Sequence, residues 1–317
     1  MRVLVAGATG VIGRSLVPLL GAVGHEVVGL SRSVAGAEQV CRVGAAAVVA
    51  DALDAEAVAR AVREAAPDAV VNMLTAIPEE INPRKLAEQF ALTNRLRVEG
   101  TRNLIEAARA VGGARIISQG LAYGYQPDAG AADEDAPLWH SRTPKQFVSV
   151  LAALTELERA TVAADGVVLR FGHLYGPGSI YAADGSFARQ VRAGKVPLVG
   201  GGHAVFSFTH ADDAASAVVA ALDRTEVSGA LNIVDDSPAA LREWLPRYAE
   251  ILGAPAPKSA PAALARLAVG GWGVAFMNEL RGADNARARL RLNWRPRFTS
   301  WAEGFVTELD ADRAAAA

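Results

Sequence analysis

The sequence is short of several things, and each shortage excludes something. Cys41 is the only cysteine, so no intramolecular disulfide can form, and a reducing, cytoplasmic setting is expected. Neither sign of charge is in excess. The formal net charge is -2, with no long basic or acidic run, which argues against nucleic acid as a partner. Long apolar runs are missing as well. The most apolar late stretch, LARLAVGGWGVAF at 264–276, contains Arg266 and is too short to span a bilayer, so no membrane partner is expected. The N-terminal MRVLVAGATG enters a strand at once and carries no charged leader with a cleavage site. A small molecule remains as the expected partner, with no metal site. The last absence is local. No tyrosine lies between Tyr125 and Tyr175, and Lys145 is the only lysine in that interval.

What is present is an ordered alternation. Hydrophobic residues make up 51% of the 317, enough for a sizeable core. Short Val- and Ile-rich runs at 2–7, 26–31, 46–50, 69–74 and 114–119 alternate with helical spacing at 11–23, 54–65 and 84–111. Runs of this kind are buried parallel strands, and their alternation with helices predicts an α/β fold with a Rossmann, doubly wound parallel sheet. A helix near 145–164 and a strand at 166–171 extend it. Residues 1–173 are expected to form the dinucleotide-binding core, with 205–236 returning to it through a strand at 205–210, a helix at 212–223 and a strand at 230–235. Residues 174–204 and 237–317 are expected to form a smaller, mostly helical substrate-binding region. Within it, 255–282 reads as an amphipathic lid bringing Leu264, Leu267, Trp272, Phe276 and Met277 to a pocket.

The stretch GATGVIG follows the first strand and opens a helix. Gly7, Gly10 and Gly13 permit a tight turn, close approach of the backbone to a pyrophosphate, and close packing of helix on strand. Thr9, Val11 and Ile12 complete the loop, and the helix N-terminus offers free N–H groups to an anion. The second strand ends in Ser31-Arg32, with no carboxylate to repel a 2′-phosphate and a guanidinium to pair with one, so NADP(H) is expected over NAD(H). Asp51, beside Ala52, is placed either to accept from the adenine amino group or to cap the helix that begins near Asp54.

Seven motifs in order resemble the extended short-chain dehydrogenase/reductases, the group that includes NAD(P)-dependent epimerases and dehydratases. They are GATGVIG, VVNMLTA, TNRLRVEGTRNLIEAA, ISQGLAYG, VVLRFGHLYGPG, FSFTHADDAASAV and LNWRPRFTSWAEGF. The resemblance implies that Leu74, Thr75 and Ala76 line the ribose and that Asn94 sits in the long helix behind the sheet, near the cofactor. It places His173 beside the nicotinamide and implies a homodimer through the helices near 84–111 and 145–164. It also exposes departures. Where the family has Ser or Thr four residues before the tyrosine of YG, Gln119 stands, next to Ser118. Where it has Tyr-x-x-x-Lys upstream of a glutamate, alignment on Glu156 gives Val148 and Ala152, and alignment on Glu158 gives Val150 and Leu154.

Valine, alanine and leucine cannot protonate the oxygen of a reduced carbonyl. Gln119 can polarise a carbonyl through its amide. His173 leads as a replacement acid because histidine titrates near neutral pH, ahead of Tyr125, His140 and Lys145. Tyr125 and His140 read as loop-surface residues. The substrate itself can also assist through a phenol beside the ketone. In this the chain resembles angucyclinone-type ketoreductases of antibiotic pathways, which lack the usual catalytic residues. The expected activity is NADPH-dependent reduction of a ketone on a bulky aromatic or polycyclic substrate. The alternatives are a nucleotide-sugar epimerase or dehydratase, which leans harder on the missing tyrosine, and a non-catalytic NADP(H)-binding regulatory protein.

Overall fold

The chain folds as β1 (Arg2–Ala6), α1 (Val11–Ala22), β2 (Glu26–Ser31), α2 (Val34–Arg42), β3 (Ala46–Val49), α3 (Ala55–Ala65) and β4 (Ala69–Asn72). Then come α4 (Leu86–Gln89), α5 (Ala91–Arg95), a π-helical turn at Leu96–Gly100, α6 (Thr101–Ala110), β5 (Arg115–Leu121), α7 (Lys145–Val162) and β6 (Val167–Phe171). The structure is a computed structural model and describes residues 1–316, with side chains to residue 310.

Seven parallel strands form one sheet, in the order Gly229–Ile233, β6, β5, β4, β1, β2, β3. The central strands β1 and β4 run apolar and buried through Val3–Ala6 and Ala69–Val71 because both faces are covered. On one face α1 and the helix Ala211–Asp223 pack Leu16, Leu20, Val218 and Leu222 against Val3, Val5 and Val71. On the other, α3 and α6 pack Val58, Val62 and Leu104 against Leu4 and Val70. Local signals set the helix starts. Ser33 Oγ accepts from Gly36 N–H to cap α2, and Asp54 Oδ1 accepts from Ala57 N–H to cap α3. The strand order reverses between β1 and β4, which opens a crevice at the strands' C-terminal ends.

Three elements differ from the pattern read in the sequence. The helical segment at 84–111 is four pieces with a π-helical turn inside it. The strand at 205–210 is two short strands, Val205–Phe206 and Phe208–His210, which pair with different partners. The helix Ala262–Asn278, within the segment read as a lid, breaks at Gly270, where φ is 71° and ψ is -174°, a conformation closed to most L residues. Beyond the break Trp272 is buried and stacks on Phe147 of α7 at 3.9 Å. Before it Leu264 and Leu267 are 66% and 76% exposed, so these two face solvent and not a pocket. Trp272, Phe276 and Met277 do join the aromatic cluster of the C-terminal region, with Phe206, Phe208, Trp244 and Tyr248.

Candidate active site

The loop between β1 and α1 is built for an anion. Gly7 has φ of 90°, and a Cβ there would stand 2.5 Å from the Met73 carbonyl oxygen beyond β4. A Cβ at Gly13 would strike the Gly7 carbonyl, so α1 can lie this close to the strand only with glycine. Gly10 precedes α1 in extended conformation, and no side chain caps the helix. Its first N–H groups are therefore free to bind a phosphate. Ile12 is buried under the loop, while Thr9 and Val11 stay partly exposed. Thr9 uses its carbonyl to accept from Arg14 Nε at 3.0 Å.

The rest of the cradle is held by side-chain bonds. Asn72 Oδ1 accepts from Leu74 N–H at 3.2 Å and Thr93 Oγ1 from Ala76 N–H at 3.1 Å, which fixes the turn that exposes Thr75. Ala52 accepts at its carbonyl from Asn103 Nδ2. Asp51 Oδ1 accepts from Leu53 N–H, and Asp54 is the residue that caps α3. At the end of β2 the Ser31 hydroxyl is spent inside its own turn, donating to the Ser33 carbonyl. Arg32 is exposed and has no ion pair or hydrogen bond among the described residues. An uncapped helix end, a close backbone approach and a free guanidinium at the second strand fit a dinucleotide.

The packing of α7 distinguishes its two glutamates. Glu158 forms a buried ion pair with Arg170 of β6, Oε2 to Nη2 at 2.7 Å, whereas Glu156 pairs with Arg159 at the surface. A glutamate that anchors the helix to the sheet favours the alignment on Glu158, with Val150 and Leu154 upstream of it. Both are packed into the core, 1% and 2% exposed.

The expected catalytic residues divide. Gln119 is part-exposed at the C-terminal end of β5, and its amide has no hydrogen-bond partner among the described residues. Ser118 points away into the core, where its hydroxyl accepts from Thr161 Oγ1 of α7, so it does not face the site. His173 is buried between the rings of Tyr123 and Phe206, each with its centroid at 4.3 Å. Desolvation lowers its pKa to about 3. Burial favours the neutral imidazole, in which one ring nitrogen still carries a proton. Tyr125 is not a surface residue. It is fully buried, donates to Asn232 Oδ1 and accepts from Arg170 Nη1, and burial pushes its phenol up to about 12. His140 and Lys145 are exposed. Asn94 has Nδ2 3.5 Å from Ser149 Oγ of α7 and accepts at Oδ1 from Arg97 Nη1.

Two residues escaped the sequence reading. Tyr123 covers one face of His173. Arg97, on the π-helical turn, is 2% exposed, and its charge bears on the Tyr123 phenol. A helical pattern cannot announce a π turn, so nothing in the spacing marked Arg97 as inward-facing.

Residues 3–234 match the NAD dependent epimerase/dehydratase family. The chain belongs to that family. Among family relatives, the 3-diazoavenalumate denitrifying reductase of a Streptomyces species is 48% identical over 311 residues, covering 97% of this chain and 100% of the relative. A human epimerase family protein is 33% identical over 262 residues, 80% of each chain. The UDP-glucose 4-epimerase of Thermus thermophilus, solved in complex with NAD, aligns with a TM-score of 0.75 at 26% identity, over 99% of this chain and 100% of that one.

Proposed function

We propose that this protein is an NADPH-dependent reductase that delivers hydride to an aromatic substrate without a tyrosine–lysine proton relay, and that the reaction replaces a diazo group by hydrogen. The observation that carries this reading is the burial of Val150 and Leu154 at the two relay positions, behind the Glu158–Arg170 pair. A reductase so built is suited to a reaction that needs no proton at oxygen. Reductive loss of dinitrogen is such a reaction. The bound dinucleotide supplies a hydride, the electron pair of the hydride becomes the new C–H bond, and the C–N electron pair leaves with N2. An aryl diazonium and NADPH thus give the arene, N2 and NADP+, with no acid required. The relative named as a denitrifying reductase, 48% identical along the whole chain, supports it.

The chain's own residues do the remaining work. The loop at Gly7–Gly13 binds the pyrophosphate, and Arg32 pairs with the 2′-phosphate that distinguishes NADPH. Tyr123, part-exposed and backed by the buried rings of His173 and Phe206, offers a ring on which an aromatic substrate can stack. A second reading, reduction of an aromatic ketone of the angucyclinone type, is supported by the part-exposed, unengaged amide of Gln119, which would donate to a carbonyl oxygen.

One experiment separates them. The protein is given NADPH deuterated at the transferred position, with a hydroxyaryl diazonium in one vessel and hydroxylated polycyclic ketones in another. Release of N2 with deuterium on the ring carbon supports the first reading. Deuterium on a carbinol carbon supports the second. NADPH binding without oxidation in either vessel overturns both.

A further inference from the structure

The geometry points to Arg97 as the residue that receives an acidic oxygen of the substrate, a carboxylate or a phenolate. This rests on the reading of the site as one for an aromatic substrate. Arg97 stands where α5 widens into the π-helical turn Leu96–Gly100, and it is 2% exposed. A guanidinium has five N–H donors. Among the described residues Arg97 makes one long hydrogen bond, from Nη1 to Asn94 Oδ1 at 3.4 Å, and no ion pair.

The same protein shows what a satisfied buried arginine looks like. Arg170 donates to both carboxylate oxygens of Glu158, to the Tyr125 hydroxyl and to the Glu134 carbonyl. Arg97 has no such set. An uncompensated buried cation is costly to the fold, and charge of this kind gathers at functional sites. Burial lowers its pKa only to about 10, so it remains charged at neutral pH. The groups around it supply no anion. Tyr123 keeps its proton, because burial raises its pKa, and His173 is neutral. The missing partner is therefore external. The charge of Arg97 bears on the Tyr123 phenol, and Tyr123 is the part-exposed ring of the stack over buried His173. A planar aromatic acid stacked on Tyr123 would bring its charged oxygen toward the guanidinium, which binds carboxylates and phenolates by charge-assisted hydrogen bonds.

The test is calorimetric titration of the NADP+-loaded protein with 4-hydroxycinnamate, its methyl ester and 4-methoxycinnamate, using wild type, Arg97→Met and Arg97→Lys. If the carboxylate is the ligand group, both acids should bind wild type, lose at least about tenfold in affinity in Arg97→Met, and recover in part in Arg97→Lys. The ester should bind weakly to all three. If the phenolate is the group, 4-methoxycinnamate becomes the weak and insensitive probe in place of the ester. NADPH affinity should not change, and the Tm of the ligand-free Arg97→Met protein should stay level or rise, since a buried unpaired charge is gone. The idea is overturned if wild type binds none of the probes or binds all three equally, or if Arg97→Met weakens NADPH as much as the acids. It is also overturned if Tm falls while acid and ester weaken together. Turnover does not enter these readouts. Arg97-dependent acid binding without diazonium reduction would sink the proposed reaction alone, and full reduction by Arg97→Met would sink this inference alone.

Discussion

Glu158 of α7 and Arg170 of β6 meet in a two-pronged ion pair, with Nε–Oε1 at 2.8 Å and Nη2–Oε2 at 2.7 Å, in a place where both side chains are almost out of solvent. The pair sets the rotation of α7 against the sheet and so decides which residues of the helix face inward. Arg170 carries the contact on to Tyr125, which reaches Asn232 on the strand beyond β6. Removing one partner leaves the other charge buried. Glu158→Ala should therefore lower unfolding free energy by about 3 kcal/mol or more, and Glu158→Ala with Arg170→Met should recover part of the loss. Urea unfolding of the two singles and the double gives the coupling directly, and additive losses would show that the pair does not act as a unit.

Placing a tyrosine at 150 and a lysine at 154 should not create a proton relay. Val150 and Leu154 lie in the core with Phe147, Leu151 and Trp272. A lysine at 154 would stand one turn before Glu158, whose carboxylate is already taken by Arg170, and would have to compete for it, bury its charge or lose it. Val150→Tyr with Leu154→Lys is expected to cost several kcal/mol, on the scale of overpacking and charge burial, and to leave the rate of NADPH oxidation unimproved. Thermal melts and initial rates on the same preparation check both parts. A faster, stable double variant would contradict the packing reading.

Arg32 is the expected discriminator between cofactors. It is exposed and unengaged at the end of β2, so Arg32→Ala should hardly touch stability. NADPH affinity should fall by about tenfold, the scale of one charge-assisted contact to phosphate, and NADH affinity should stay where it was. Fluorescence titration with both dinucleotides measures this. Equal losses for the two would place Arg32 away from the 2′-phosphate.

Much of this was legible in the sequence, and the exceptions have physical reasons. The parallel sheet could be read because strands buried on both faces are dominated by apolar residues, as VLVA after Arg2 and AVV before Asn72 are. The glycine loop could be read because only glycine fits where the Met73 carbonyl closes on Gly7. The choice between Glu156 and Glu158 could not. They are two residues apart on one helix, and only Arg170, on the following strand, tells them apart. Tyr125 misled because a loop is usually exposed, and here the loop is folded over a buried polar pair. Arg97 went unmarked because α and π turns share a sequence pattern. In each case the deciding partner is distant in the chain or is a backbone geometry that side-chain spacing does not encode.

Two buried titratable groups should shape the acid limb of stability in opposite senses. His173 has its folded pKa lowered to about 3, by desolvation. Between about 3 and the unfolded value near 6.5 the unfolded chain binds the extra proton, so stability falls as pH falls through that window. Asp235 is the reverse. The residue is 3% exposed, neither carboxylate oxygen closes a hydrogen bond of full geometry, and burial pushes its pKa up to about 7. The folded form holds a proton that the unfolded form gives up at about 3.9, so its contribution is full at low pH and is lost as pH rises toward 7. His173→Phe keeps a flat ring between Tyr123 and Phe206 and should flatten the loss of Tm on acidification. Asp235→Asn keeps the shape of a protonated carboxyl and should raise Tm most near pH 7 and least near pH 4. Melting curves across that range, run on wild type and both variants, should therefore diverge at opposite ends. If both variants shift Tm by the same amount at every pH, the two groups do not titrate on unfolding as their burial requires.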